Sequence, residues 1–169
     1  MKRIFFLMIT FLALIAFAHA QDVTRANAKL ESKSGSQVTG TVTFTKTGDE
    51  VRVVADIQGL KPGKHGFHIH EKGDCSAADA ASAGGHFNPT HQHHGGPSAP
   101  EHHTGDLGNI DADATGKVHL DLKGKMSLNG PDSIIGKSVV VHEKEDDLKT
   151  DPAGNSGARV ACGVINAGD

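Results

Sequence analysis

Between Val38 and Ile57 the chain alternates with a period of two on both sides of a single turn. Val38, Gly40, Val42 and Phe44 are separated by Thr39, Thr41, Thr43 and Thr45. Thr47-Gly48-Asp49 then breaks the run, and Val51, Val53, Ala55 and Ile57 resume it. Successive side chains of a strand point to opposite faces, so this pattern demands a sheet with one buried face. A shift of one residue would turn the whole apolar set to water, so the register is tightly specified. The pattern recurs along the chain. Lys61-Pro62-Gly63 punctuates before an alternating strand around His68. Val118, Leu120 and Leu122 alternate with His119 and Asp121 after the turn Ala114-Thr115-Gly116. Ile134 to Val141 and Val160 to Ile165 read as more fully buried strands. Short strands at regular spacing with Gly/Pro turns mean a sandwich or barrel. No stretch combines a helical period with caps, so the expected class is all-β. After residue 20 the only aromatics are Phe44, Phe67 and Phe87, which leaves Val, Ile and Leu to fill the core. No repeat or linker divides the chain; Gly73 to Gly85 and Glu143 to Asn155 read as loops.

Lys2-Arg3, the apolar run from Ile4 to Phe17 and the small residues of Ala18-His19-Ala20 form a secretory signal peptide, with cleavage expected before Gln21. The run is shorter than the roughly 20 apolar residues that span a bilayer, so a membrane anchor is the weaker reading. Residues 21–169 are then one exported domain, periplasmic or secreted, with no membrane partner in the mature form. Without Lys2 and Arg3 the 17 basic residues fall to 15 against 20 acidic ones, a formal charge of −5. That balance speaks against nucleic acid as a partner. The two cysteines, Cys75 and Cys162, favour one disulfide in an oxidising compartment. Closing so long a loop contributes about 4 kcal/mol on the chain-entropy model. Two thiol ligands for a metal are the alternative, weakened by the lack of any C-x-x-C pair.

Eight of the twelve histidines fall between Gly66 and Asp106. His68 and His70 are two apart on a strand, so their imidazoles share a face and can converge on a metal ion. The stretch then becomes a Gly- and Ala-rich loop carrying His86, His91, His93, His94, His102 and His103. A loop this long is usually functional or disordered, and ligand-type residues spaced through it favour function. His142 ends the apolar run Val139-Val140-Val141, at the mouth of a buried strand. Three or four imidazoles without thiolate suit copper or zinc. Asp106 adds a hard oxygen ligand, and two or three histidines with one aspartate suit zinc. Spacing alone does not rank His91, His93 and His102 against His94 and His103.

Six blocks carry a resemblance. They are Gly66-Phe67-His68-Ile69-His70-Glu71, Gly85-His86-Phe87-Asn88-Pro89, His94-Gly95-Gly96-Pro97, His103 through Asn109, Val140 through Lys144, and Gly154 through Val164. Together and in this order they resemble the copper–zinc superoxide dismutases, exported and bacterial-type, with eukaryote-like motifs. The resemblance implies copper at His68, His70, His86 and His142, and zinc at His86, His94, His103 and Asp106, one of each metal per subunit. His86 would be the shared imidazolate and would carry a proton in each cycle. Asp146 matches a carboxylate linking one histidine of each metal, and Arg159 matches the arginine that attracts the anionic substrate. Cys75 and Cys162 match the family's disulfide. The implied fold is an eight-stranded Greek-key β-sandwich or barrel, immunoglobulin-like; this family is itself a standard instance of that architecture.

The implied activity is dismutation of superoxide to dioxygen and hydrogen peroxide, by cyclic one-electron reduction and oxidation of copper beside a structural zinc. Antioxidant defence outside the cytoplasm follows. The family is also a standing example of electrostatic steering. Here the loop from His142 to Arg159 is shorter than in eukaryotic members, and Cys75 stands further ahead of His86. Steering is therefore expected to concentrate on Arg159, with Lys144 and Lys149 nearby. The motifs around Gly105 to Asn109 and His142 to Lys144 lean towards a homodimer. A copper carrier on the same fold, a zinc hydrolase with three histidines and an open position, and metal sequestration by the loop are the rival readings.

Overall fold

The structure is a computed structural model describing residues 22–168. The signal peptide read at residues 1–20 and the cleavage point before Gln21 lie outside the described residues. Eight strands follow in chain order: β1 (Arg25–Ser32), β2 (Thr39–Thr47), β3 (Glu50–Gln58), β4 (Gly63–His70), β5 (Asp106–Ala112), β6 (Val118–Gly124), β7 (Ser138–His142) and β8 (Arg159–Ala167). A single 3₁₀ turn, Ala81–Ala83, is the helical element among the described residues. No helix among them is long and apolar enough to cross a membrane.

Every strand pair is antiparallel, in the order β5-β4-β7-β8-β1-β2-β3-β6. The two end strands, β5 and β6, also approach each other, so the sheet nearly closes into a barrel. The β3–β4 and β6–β7 connections cross between distant strands of this order, which makes the topology a Greek key.

The alternation in the sequence sets the register. Val42 faces Ala55 and Phe44 faces Val53 across the β2–β3 hairpin, whose turn is Gly48-Asp49. All four are fully buried, with Leu30, Phe67, Ile69, Ile110 and Ile165 completing the centre of the core. Phe87 is also buried, so all three expected aromatics lie inside.

Two strands were not foreshadowed. β1 buries Ala26, Ala28 and Leu30 between charged and polar residues, a pattern of small side chains with weak strand preference. β5 begins at Asp106, inside the histidine-bearing stretch. In the other direction, the strand expected from Ile134 shortens to Ser138–His142. Gly136 adopts φ +75, and Lys137 N–H donates to the Ile134 carbonyl, so Ile134–Lys137 is a turn. Ile134 itself is wholly buried. The apolar run is core, but not all of it is strand.

Candidate metal centre

β4 presents two faces. Phe67 and Ile69 enter the hydrophobic core, while His68 and His70 point to the opposite side. On the neighbouring β7, Val139 and Val141 join the core, and Val140 and His142 occupy the histidine side. The residue parity read from the sequence therefore holds. The register shifts between Val141 and His142, and this bulge re-aims the end of β7.

The long loop is brought to β4 by its own backbone. Ile69 N–H donates to the Gly105 carbonyl, and Phe87 N–H donates to the Ile69 carbonyl, each at 2.8 Å. Glu71 N–H reaches Gly85 O at 2.9 Å, and Gly105 N–H reaches Phe87 O at 2.9 Å. Two loop segments are thus stitched onto the strand that carries His68 and His70. The segment from Gly73 to Gly85 forms a subloop of this stretch. Ala80, Ala83, Val140 and Cys162 form a separate buried cluster beneath the Cys75–Cys162 disulfide, which joins this subloop to β8.

Two groups of potential ligands result. His68, His70, His86 and His142 each offer a ring nitrogen, all within 4.8 Å of one another. His86, His94, His103 and Asp106 form the second such group, and His86 belongs to both. In the second group Asp106 Oδ1 lies 2.8 Å from His86 Nδ1, 3.1 Å from His94 Nδ1 and 3.2 Å from His103 Nδ1. Its other oxygen accepts from the backbone N–H groups of Gly95 and His103 at 3.1 and 2.8 Å. In the first group His70 Nε2 and His142 Nε2 stand 3.4 Å apart.

Four outward ring nitrogens have partners. His68 Nε2 lies 2.7 Å from Asp146 Oδ2, and His94 Nε2 lies 2.9 Å from Asp146 Oδ1. His70 Nδ1 lies 2.9 Å from the Gly84 carbonyl, and His142 Nδ1 lies 3.3 Å from the Gly157 carbonyl. Two inward nitrogens, His68 Nδ1 and His86 Nε2, are buried with no hydrogen-bond partner, and His94 Nδ1, although 3.1 Å from Asp106 Oδ1, makes no well-aligned hydrogen bond. His86 turns one nitrogen into each group. Paired outer nitrogens with bare inner ones are what metal-ligating imidazoles require.

Electrostatics agree. Burial pushes His68 down to about 4 and His142 down to about 3, and holds His70 well below the usual imidazole value. Neutral rings keep lone pairs for a cation. Burial also lowers His103. It acts downward on His94 too, but Asp106 and Asp146 outweigh it and raise His94 to about 10. The two carboxylates make this spot favour positive charge. Against the upward push of burial, His86 and His94 with two backbone N–H groups hold Asp106 well below the usual carboxylate range. His68, His94 and Leu148 N–H do the same for Asp146.

Arg159 opens β8, half-buried, with Nη1 donating to Ala80 O and Nη2 to Gly84 O, both at 2.7 Å. Gly84 O therefore serves Arg159 and His70 together. Lys144 and Lys149 are exposed. His91, His93 and His102 belong to neither group; His93 Nδ1 lies 2.6 Å from Asp151 Oδ2, and His102 Nδ1 lies 2.8 Å from His103 O. One contributor went unassigned in the sequence. Asn109 of β5 clamps both peptide groups of Asp146, accepting its N–H at 2.8 Å and donating to its carbonyl at 2.9 Å. Its only sequence signal was its place at the end of a recognised block.

Comparison with known proteins agrees with this geometry. The sequence model described as copper/zinc superoxide dismutase matches residues 38–165. An extracellular copper–zinc superoxide dismutase of Caenorhabditis elegans is 44% identical over 157 residues, covering 86% of this chain and 71% of its own. The extracellular enzyme of Drosophila melanogaster is 49% identical over 139 residues, covering 77% and 76%. The crystal structure of the clock protein EA4 superposes with a TM-score of 0.82 at 43% identity, over 90% of this chain and 99% of that one. A match across most of the barrel, with both ligand groups inside it, leads to one conclusion: the chain belongs to the copper/zinc superoxide dismutase family.

Proposed function

We propose that His68, His70, His86 and His142 hold the copper, that His86, His94, His103 and Asp106 hold the zinc, and that His86 is shared. One observation carries this assignment: the buried ring nitrogens His68 Nδ1 and His86 Nε2 lack partners within the four-histidine group, while His94 Nδ1 in the other group has only the Asp106 carboxylate beside it. An unmade hydrogen bond at a buried polar atom costs about 1–3 kcal/mol, which a bound cation offsets. Four imidazoles with no oxygen suit copper, and three imidazoles with one carboxylate suit zinc.

The protein is an oxidoreductase that dismutes superoxide to dioxygen and hydrogen peroxide, using one copper and one zinc. Copper supplies the one-electron couple that oxidises one superoxide and reduces the next, while zinc has no redox chemistry of its own. The chain's residues do the rest. The Arg159 guanidinium is permanently charged, and two of its five N–H donors are spent on Ala80 O and Gly84 O. The remainder are free to bind an anion. His86 Nε2 is the buried atom able to take up and hand on one proton per cycle. Asp146 fixes the tautomers of His68 and His94, and the Gly84 and Gly157 carbonyls fix those of His70 and His142.

The protein is exported, in keeping with its extracellular relatives and its disulfide. We read residues 1–20 as removed before Gln21, which the intact mass of the mature protein tests. Its compartment is periplasm or medium, which cell fractionation decides. Homodimerisation is our reading of the eukaryote-like motifs, and sedimentation checks it. The central experiment is superoxide dismutation by the copper- and zinc-loaded protein beside a His142→Ala variant, with metals quantified. Fast dismutation in the parent and copper loss with collapse of the rate in the variant are expected. Undiminished copper and rate in His142→Ala would overturn the assignment.

A further inference from the structure

The subloop that holds Arg159 contains an acid that none of the chemistry above uses. Ala80, whose carbonyl receives Arg159 Nη1, is fully buried and sits at φ 56, ψ 21. A residue with a Cβ rarely adopts this left-handed conformation unless its surroundings impose it. Three bonds impose it here. Ala80 N–H donates to Ala77 O at 3.0 Å, and Ala83 N–H donates to Ala80 O at 3.1 Å. The third is a side-chain cap, in which Asp79 Oδ1 accepts from Ala81 N–H at 2.9 Å. The cap spans the peptide groups that aim the Ala80 carbonyl. Asp79 is itself exposed, its carboxylate one residue from the guanidinium's acceptor. The Ala80 carbonyl and the Ala81 N–H belong to one peptide group, so the Asp79 carboxylate and the Arg159 guanidinium bind opposite edges of the same peptide. Burial lowers the pKa of Arg159, and this nearby carboxylate acts in the opposite sense.

We propose that Asp79 is a positioning residue that sets how strongly Arg159 recruits the anionic substrate, its cap fixing the guanidinium and its charge damping the attraction. The proposal rests on the reading of Arg159 as the anion-recruiting group. Two substitutions separate the halves. Asp79→Asn keeps a side-chain oxygen for the Ala81 N–H and removes the charge, since Asn and Asp both close such turns. Asp79→Glu keeps the charge, but its longer side chain loses the short turn.

The experiment measures kcat/KM for superoxide against ionic strength, and competitive inhibition by inorganic phosphate at fixed ionic strength. Parent, Asp79→Asn, Asp79→Glu and Arg159→Ala are compared with copper and zinc content determined for each. Asp79→Asn is expected to raise kcat/KM about twofold at low salt, with the gain closing as added salt screens the charge. Phosphate should inhibit it more tightly. Asp79→Glu is expected to lower kcat/KM roughly threefold, the result of a displaced binding group, and to weaken phosphate inhibition. Both variants matching the parent, or both shifting in one direction, would overturn the proposal while Arg159→Ala still loses its rate. Loss of metal from either variant would overturn it too, because it assigns Asp79 to Arg159 and not to the metal groups. An Arg159→Ala variant as fast as the parent would instead overturn the reading of Arg159.

Discussion

Replacing Gly154 by alanine tests how tightly the loop before β8 is fitted over Asp146. Gly154 has φ +61, and a Cβ built there would run into Asp146 Oδ1 and lie 2.8 Å from His94 Nε2. Two costs follow. The left-handed backbone is worth about 1 kcal/mol against alanine. Relief of the clash requires the loop to lift or the His94–Asp146 hydrogen bond to break, and a charged hydrogen bond contributes about 1.5–3 kcal/mol. The expected loss is therefore about 2.5–4 kcal/mol, or a Tm lower by roughly 5–15 °C for a domain of this size. Zinc affinity should fall by about 10–100-fold, because the partner that orients a ligand histidine is disturbed. Calorimetry of the metal-free protein reads the first quantity, and competition with a chromophoric chelator reads the second. An Asp146→Ala background isolates the cause: there the carboxylate is gone, and Gly154→Ala should cost only the backbone share of about 1 kcal/mol. An equal cost in both backgrounds would refute the steric argument and leave only backbone strain.

Two further outcomes are expected. In the metal-free protein, the lowered pKa values of His68 and His142 mean that the folded chain binds fewer protons than the unfolded one from about pH 6.5 down to about 4 and about 3. Their contribution is complete above the unfolded value and is lost on acidification, at about 1.4 kcal/mol per group per pH unit. His94, raised to about 10, contributes in the opposite sense, losing its share as pH rises from about 6.5 towards 10. Urea denaturation of the metal-free protein across pH should thus show stability falling on both sides of neutrality; a flat acid limb would contradict it. Replacing Cys75 and Cys162 together by serine removes a cross-link of sequence separation 87 and should cost about 4 kcal/mol. Because the same subloop carries the Ala80 and Gly84 carbonyls, kcat/KM should fall with both metals still bound. Unchanged kinetics would uncouple the disulfide from Arg159.

The hairpin of β2 and β3 was legible because alternation alone determines it: a strand has only two faces. The same parity correctly put His68 and His70 on one side of β4. β1 escaped because Ala26 and Ala28 bury little surface and leave a faint pattern. Ile134 misled because burial and strand geometry are separate properties, and a turn with a positive φ at Gly136 buries it equally well. Within the loop, spacing could not choose His94 and His103 over His91, His93 and His102; the family likeness did. The deciding physics is backbone pairing of Gly85, Phe87 and Gly105 with the end of β4, and peptide groups carry no residue-specific signature. The carbonyls of Ala80, Gly84 and Gly157 were invisible for the same reason.

Asp146 touches His68 with one oxygen and His94 with the other, and so belongs to both ligand groups at once. In a thermodynamic cycle, such a shared support makes the two occupancies inform each other. Whatever factor the first ion adds to the affinity for the second, the second must add to the first. The order of loading can then change only the path, and a chain stripped of one metal should report it in its hold on the other.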